Sequence, residues 1–302
     1  MPAFDAFKTK TFQPIGDRIS VNEFAEDVRQ GLGKKGQKEL YSKYLYDEVG
    51  SALFDAITVL PEYALTRADA RLLRGHAREL AEYVEHPSIV AELGSGSGTK
   101  TRWILSELVQ HHRITYCPID ISESALHKCA RELSQIDSLR IVPIAESYLD
   151  GLRHAVGLRP PGTTLLLLFL GSTIGNFEPA RAEEFLSDIR QLLVPGDVFC
   201  LSADLEKEVD RMILAYDDPA GVTAAFNLNL LARINRELEG NFVLSRFRHE
   251  ARYNEDAHRI EMHLRSIGDQ QVTIANDFTV DLQDGETIWT ESSYKFRTEN
   301  IV

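Results

Sequence analysis

Ile89-Val90-Ala91-Glu92-Leu93-Gly94-Ser95-Gly96-Ser97-Gly98-Thr99 is a short apolar run that enters three glycines spaced two apart. It has the form of a strand that turns into a helix beginning near Thr99. Glycine at such a turn lets backbone come close to a ligand, and the first turn of the helix presents free N–H groups. The spacing is G-x-G-x-G. It is therefore neither the G-x-G-x-x-G of a dinucleotide site nor the G-x-x-x-x-G-K-[ST] of a triphosphate loop. A plain tight turn is the alternative.

After this turn, apolar strands alternate with helical patterns. The expected helices cover 101–110, 123–133 and 179–193, the last with Pro179 just inside its start. The expected strands cover 114–119, 139–144, 163–170 and 197–203. Residues 163–170 are an unbroken apolar run, as in a strand buried on both faces. Five strands in this rhythm predict an α/β protein with a doubly wound, mostly parallel sheet. Before the glycine turn, Tyr46, Leu53, Phe54, Ile57 and Leu60 fall near helical spacing, and Pro61 ends the pattern. A second helix is expected over 67–85, with Leu72, Leu73, Leu80 and Val84 as its apolar face. After Asp204 the rhythm changes: helices over 206–215 and 221–238, then strands over 242–253, 259–267, 279–282 and 287–296. Asp284-Gly285 is expected to close a hairpin between the last two. These antiparallel strands suggest a second α+β domain that packs with the N-terminal helices and forms a cleft against the sheet domain.

Composition narrows the function. The chain has 302 residues, 33 Lys plus Arg against 46 Asp plus Glu, and a net charge of −13. Such a surface repels phosphate backbones, so no nucleic-acid partner is expected. The longest apolar run, 165–170, is too short to span a bilayer, and residues 1–12 lack a signal-peptide core. Cys117, Cys129 and Cys200 form neither a disulfide framework nor a metal cluster. A cytoplasmic, reduced enzyme without a metal is the expectation.

Glu92 precedes the first glycine, and Asp120 ends the next strand, 22 residues beyond Gly98. A carboxylate there can accept both hydroxyls of an adenosine ribose. Glu-x-Gly-x-Gly-x-Gly with this acid, and Leu193-Val194-Pro195-Gly196-Asp197 before the fifth strand, resemble the Rossmann-like class I S-adenosylmethionine-dependent methyltransferases. That resemblance implies S-adenosyl-L-methionine as cofactor, released as S-adenosyl-L-homocysteine. Gly94, Ser95, Gly96 and Asp120 would bind it. Glu146, after the third strand, would lie near the adenine, unless it is a solvated strand-end acid.

A narrower resemblance covers about residues 40 to 300. Tyr46-Asp47-Glu48-Val49-Gly50-Ser51-Ala52-Leu53-Phe54-Asp55, then Leu60-Pro61-Glu62-Tyr63 and Thr66-Arg67, are similar to the bacterial L-histidine Nα-methyltransferases of ergothioneine biosynthesis. So are Phe169-Leu170-Gly171-Ser172-Thr173-Ile174-Gly175-Asn176-Phe177, Ala215-Tyr216-Asp217-Asp218 and Gly221-Val222-Thr223-Ala224-Ala225-Phe226-Asn227. Ile260-Glu261-Met262 and Thr290-Glu291-Ser292-Ser293 complete the set. The resemblance implies methylation of L-histidine and of its mono- and dimethylated forms, ending in hercynine. It assigns Asn176 and Tyr216 to the amino-acid end, chiefly its carboxylate, and Glu291 and Ser293 to the imidazole. Tyr63 would reach the ring through water, Met262 would line the pocket and Phe54 would wall it. Tyr46 would touch both cofactor and reacting amine, Gly171 would bring a carbonyl near the methylated nitrogen, and Lys100 would face the cofactor. On the resemblance, 1–67 is the N-terminal part of a substrate domain and 68–205 the cofactor domain. Residues 206–296 are the inserted part of the substrate domain, and 297–302 begin a return to the sheet.

Simple chemistry accompanies these roles. Glu291 and Ser293 are two apart on an expected strand, so their side chains share a face. A carboxylate and a hydroxyl can hold the two nitrogens of an imidazole, which offers a donor at one and an acceptor at the other. An edge strand with solvated polar residues is the bland alternative, and Asn176 could merely cap the helix near Pro179. Lys100 could be a surface lysine, and Met262 ordinary core. Two departures stand out. Ala64 occupies a position where the family commonly has an aromatic, and the chain ends at Ile301-Val302, where a further helix and closing hairpin are expected. An uncovered sheet edge would favour self-association. A methyltransferase for another amino acid or amine, or a cofactor-binding homologue without catalysis, remain as alternatives.

Overall fold

A computed structural model describes residues 21–275 and 277–300. The expectations for residues 1–12 and 301–302 lie outside the described residues. Helix α1 (Val21–Leu32) leads to a two-residue strand β1 (Lys38–Glu39), then to helices α2 (Glu48–Thr58) and α3 (Leu65–Tyr83). Asp47 caps α2 by accepting from the Gly50 N–H at 2.7 Å, and Asn229 and Arg236 hold the same carboxylate. The first residues of the motif around Tyr46 are thus fixed by a cap.

The glycine run follows β2 (Pro87–Leu93), the middle strand of a five-stranded parallel sheet. The other strands are β3 (Thr115–Ile119), β4 (Arg140–Ile141), β5 (Thr164–Phe169) and β6 (Val198–Leu201), in the order β4-β3-β2-β5-β6. Helices α4 (Arg102–Leu108), α5 (Glu123–Leu133), α6 (Tyr148–Gly157) and α7 (Pro179–Leu192) connect them. Apolar clusters cover both faces: Ile89, Ala91, Leu165 and Leu167 belong to one, Val90, Leu166 and Leu168 to the other. A strand buried on two sides explains the continuous apolar run in β5. The order places β2 and β5 at the point where connections switch sides, where ligands bind in open α/β sheets.

Beyond β6 come helices α8 (Val209–Tyr216) and α9 (Val222–Glu237) and strands β7 (Phe247–Asn254), β8 (Arg259–Ser266), β9 (Gln270–Ile274), β10 (Phe278–Leu282) and β11 (Thr287–Tyr294). A second sheet has the order β1-β11-β8-β7, with β1 parallel to β11 and the rest antiparallel. Its core joins Phe24, Tyr44, Phe226, Leu230, Met262, Leu264 and Ile288. The chain after β11 returns to the first sheet: Phe296 bridges Leu205 in parallel, just after β6.

Several expectations are corrected. Asp284-Gly285 connects the last two strands but closes no hairpin between them, because β10 pairs with β9 and β11 pairs with β8. Strand β9 escapes notice because Gln270 and Gln271 mask its alternation, although Val272 and Ile274 are buried. The Asp284 carboxylate instead accepts from the Gly268 N–H. In α3, Leu72 is 59% exposed, and the inward face is Asp69, Leu73 and Ala77 at i, i+4 and i+8. Helix α6 was not expected, although Ser147-Tyr148-Leu149-Asp150 carries the S-x-x-D start signal and Ser147 caps it.

Candidate active site

The site grows from the glycine turn. Gly94, Gly96 and Gly98 have positive φ, and nothing lies within 4 Å of where a Cβ at Gly96 would be. That backbone is open to a ligand. Asp120, at the end of β3, accepts from the N–H groups of Gly96 (3.0 Å) and Ser122 (2.9 Å). Burial raises its pKa against these backbone bonds. The Ser95 hydroxyl is buried and has no nitrogen or oxygen partner, and the Cys129 thiol lies near it. A buried orphan hydroxyl, an open glycine and a buried acid at the strand end suit an amino-acid-bearing nucleoside. Glu146 lies 3.7 Å from the His154 ring.

Glu92 has a different task. It is 2% exposed, and its carboxylate accepts from Thr101 (2.6 Å) and Tyr116. Burial pushes it to about 7. It ties the residue that precedes α4 to β2 and β3 and so shapes the glycine turn from beneath.

Three residues of the site were not singled out from the sequence. Asp69, 5% exposed on α3, accepts from Lys100 Nζ at 2.9 Å and from the Gly171 N–H at 2.8 Å. Lys100 is thus no free surface lysine; it is paired beside Gly171. Tyr148 of α6 packs its ring against Gly94 and lies near Asp120 and Tyr46. Phe226 of α9 touches Tyr46 and Phe54, with ring centroids 5.5 and 5.9 Å apart. The helical spacing of Asp69 with Leu73 was the available signal for the first of these. Phe226 stands inside the motif 221–227, and Tyr148 goes unnoticed together with its helix.

The remaining residues come together from α2 and its flanks, α8, α9, the turn after β5, and strands β8 and β11. Tyr46, Phe54, Tyr63, Tyr216 and Phe226 form a chain of aromatic contacts, Tyr63 meeting Tyr216 at 6.2 Å. Burial, then the Glu291 charge, holds the Tyr46 hydroxyl well above its usual range. Asn176 does not cap α7, whose first turn has no side-chain cap. Its side chain lies beside the Glu291 carboxylate and favours the ionised form. Gly175 makes this possible: a Cβ there would sit 2.8 Å from the Tyr294 carbonyl, so the turn after β5 lies flat on β11. Glu291 is opposite Met262 across the β11–β8 pair, and the register shifts between Trp289 and Glu291. That bulge turns Glu291 away from the face of Trp289. Burial pushes Glu291 to about 7, against the pull of Lys295 and Asn176.

Tyr216 donates to Ser293 Oγ at 2.7 Å. Residues assigned to opposite ends of a substrate therefore lie side by side: Asn176 on Glu291, and Tyr216 on Ser293. Among the described residues no group of His, Cys, Asp and Glu is placed to hold a metal ion, and no helix is long and apolar enough to cross a membrane.

A parallel sheet in this order, with an open glycine turn, a buried acid after the second strand and an aromatic pocket beside it, defines an S-adenosylmethionine-dependent methyltransferase of the Rossmann-like class. The family described as histidine-specific, SAM-dependent methyltransferases matches residues 24–302, and the chain belongs to that family. It is 43% identical over 293 residues to the histidine N-alpha-methyltransferase of Mycobacterium tuberculosis, covering 95% of this chain and 88% of that protein. It is also 43% identical over 282 residues to the protein of that name in Mycolicibacterium smegmatis, covering 91% and 85%. Ergothioneine biosynthesis protein 1 of Neurospora crassa is 30% identical over 218 residues, 72% of this chain and 25% of that protein.

Proposed function

We propose that this enzyme methylates the α-nitrogen of L-histidine, up to three times, giving hercynine for ergothioneine biosynthesis. The observation that carries this is the placement of Asn176 beside Glu291 and the hydrogen bond from Tyr216 to Ser293, in one cluster that adjoins Tyr46. A zwitterion with a hydrogen-bonding ring can replace both pairs. Its carboxylate takes Asn176 and Tyr216, and its ring takes Glu291 and Ser293.

When bound, S-adenosyl-L-methionine supplies a methyl group on a sulfonium, and the C–S bond electrons remain on sulfur. Gly94, Ser95, Gly96 and Asp120 bind it, with Glu146 toward the adenine and Lys100 on the same side. The nitrogen must present its lone pair, so the site takes the neutral amine, and each transfer is followed by proton loss before the next. Asn176, Tyr216, Glu291 and Ser293 fix both ends of the amino acid, which leaves the nitrogen one direction of approach. Orientation of this kind is worth about 7–11 kcal/mol. Gly171, held by Asp69, places a carbonyl at the reacting nitrogen. Tyr63 reaches the ring through water, and Met262 and Phe54 close the pocket. Aromatic faces at Tyr46, Phe54 and Phe226 suit the growing quaternary cation, by about 0.5–2 kcal/mol.

Mass spectrometry of L-histidine incubated with enzyme and S-adenosylmethionine tests this directly. Gains of one, two and three methyl groups are expected, and no gain refutes it. In titration calorimetry Glu291→Ala should weaken histidine far more than cofactor, and an unchanged histidine affinity removes Glu291 from the site. The proposed reading places 1–67 and 206–296 as the substrate domain and 68–205 as the cofactor domain. The free thiols of Cys117, Cys129 and Cys200 fit a reducing cytoplasm. Among the described residues β6 pairs with β5 alone, so its outer edge is offered for self-association. A monomer by light scattering would count against that contact.

A further inference from the structure

Lys295 is 4% exposed and lies two residues beyond Ser293, on the face that carries Glu291 and Ser293. An ammonium has three protons and no lone pair. Here the three meet three oxygens: Ser293 Oγ at 2.9 Å, the Tyr216 hydroxyl at 2.9 Å and Asp204 Oδ2 at 3.2 Å. Serine and tyrosine hydroxyls can each donate or accept, and a donor-only neighbour takes up acceptor capacity while leaving the proton, which biases each toward donating. With Lys295 donating to both, each oxygen is engaged as an acceptor and each proton is free to be given elsewhere. In the structure Tyr216 gives its proton to Ser293; a substrate carboxylate that takes the Tyr216 proton instead leaves Ser293 accepting from Lys295, with its own proton to give.

We propose that Lys295 is a positioning residue that sets both hydroxyls as donors toward the substrate, Tyr216 to the carboxylate and Ser293 to the side-chain ring. The ring atom at Ser293 must then be a bare nitrogen, and its N–H must face Glu291. The pocket thereby selects a neutral azole with one donor and one acceptor. The groups that face this ammonium are Asp204 after β6, Tyr216 at the end of α8, and Ser293 and Glu291 on β11. Asp204 also pairs with Lys207, so removing the Lys295 ammonium does not leave that carboxylate alone.

The proposal depends on the histidine reading above, and the test separates the two. Steady-state rates are measured at saturating S-adenosylmethionine for the wild type, Lys295→Met, Ser293→Ala and the double variant. Lys295→Met should raise the KM for histidine roughly ten- to a hundredfold, the range of a lost charge-assisted hydrogen bond, with the cofactor KM unchanged. Ser293→Ala should then add little in the Lys295→Met background, because the hydroxyl it removes is no longer held as a donor. A second readout compares histidine with 1,2,4-triazolylalanine, a neutral azole that carries one N–H and bare nitrogens. For the wild type the histidine-to-triazole ratio of kcat/KM should fall below about pH 6.5, where imidazole protonates. Enzyme groups cancel in that ratio. In Lys295→Met the fall should be smaller. Should Lys295→Met not fold, Lys295→Arg retains the charge but not the three-oxygen geometry, and it should show the same flattened ratio. Additive effects of the two substitutions, or an unchanged ratio profile in the folded variant, overturn the role of Lys295. A wild type that methylates no histidine overturns the underlying reading instead.

Discussion

Replacing Glu291 by Gln should make the protein more stable while it loses histidine. Burial holds the Glu291 carboxyl at about 7, against 4.5 for the free group. A carboxyl with a raised folded pKa binds its proton more tightly in the fold than in the unfolded chain. Its unfavourable contribution is absent below about pH 4.5, grows as the pH rises through that window and is constant above about 7. Linkage puts the cost at about 2 kcal/mol at pH 6 and about 3 kcal/mol at pH 8. The Lys295 and Asn176 contributions are already contained in the value of about 7. Glutamine keeps an acceptor for Asn176 and carries no charge to desolvate. Urea unfolding of both proteins at pH 6 and pH 8 should therefore show Glu291→Gln gaining on the wild type, more at the higher pH. Glu92 shifts in the same direction, but it is common to both proteins and drops out of the difference. Histidine binding, followed by calorimetry on the same samples, should be lost. A stability difference that does not change with pH would refute the buried, perturbed carboxyl. A variant that is less stable at both pH values would make Glu291 a structural residue.

Other perturbations separate the two halves of the site. Asp120→Ala removes the acceptor of the Gly96 N–H, so the Kd for S-adenosylmethionine should rise with little change in the stability of the β7–β11 region, checked by calorimetry and hydrogen exchange. Gly175→Ala puts a methyl 2.8 Å from the Tyr294 carbonyl; overpacking of this kind costs about 1–3 kcal/mol. The histidine KM should rise and the cofactor Kd should not. Asp69→Asn loses the charge that pairs with Lys100 and weakens the hold on Gly171, by about 1–3 kcal/mol in unfolding free energy. Its kcat should fall more than its histidine affinity.

The parallel sheet was legible because its strands are apolar on both faces and its turns carry glycine and proline in fixed places. Glu123–Leu133 matched residue for residue, since Ser122 and Glu123 mark the start. The β9–β10 hairpin was not legible, because two glutamines break the alternation and the Asp-Gly pair suggested a different partner. The individual site residues carried clear chemistry, but their pairing did not. Nothing local in Asn176 or Tyr216 reveals that they meet β11, because that depends on Gly175 lying flat on its backbone and on the return of Phe296 to Leu205. Lys295 was passed over for the same reason, since its partners Asp204 and Tyr216 are distant in sequence, whereas Asp69 shared the inward spacing of Leu73 and Ala77.

The extra residue at Thr290 has a consequence for how this pocket can change over time. Trp289 and Glu291 would share a side of an ordinary strand, yet here Trp289 stacks with His263 and Glu291 stands opposite Met262. Insertions or deletions at this irregular joint, or in the loop before Thr287, can be absorbed without disturbing the stretch from Glu291 onward. A single insertion between Glu291 and Lys295 cannot, since it would send part of that trio to the opposite side of the ribbon. New specificities on this scaffold should therefore arise by exchanging side chains within the trio, with its length held constant.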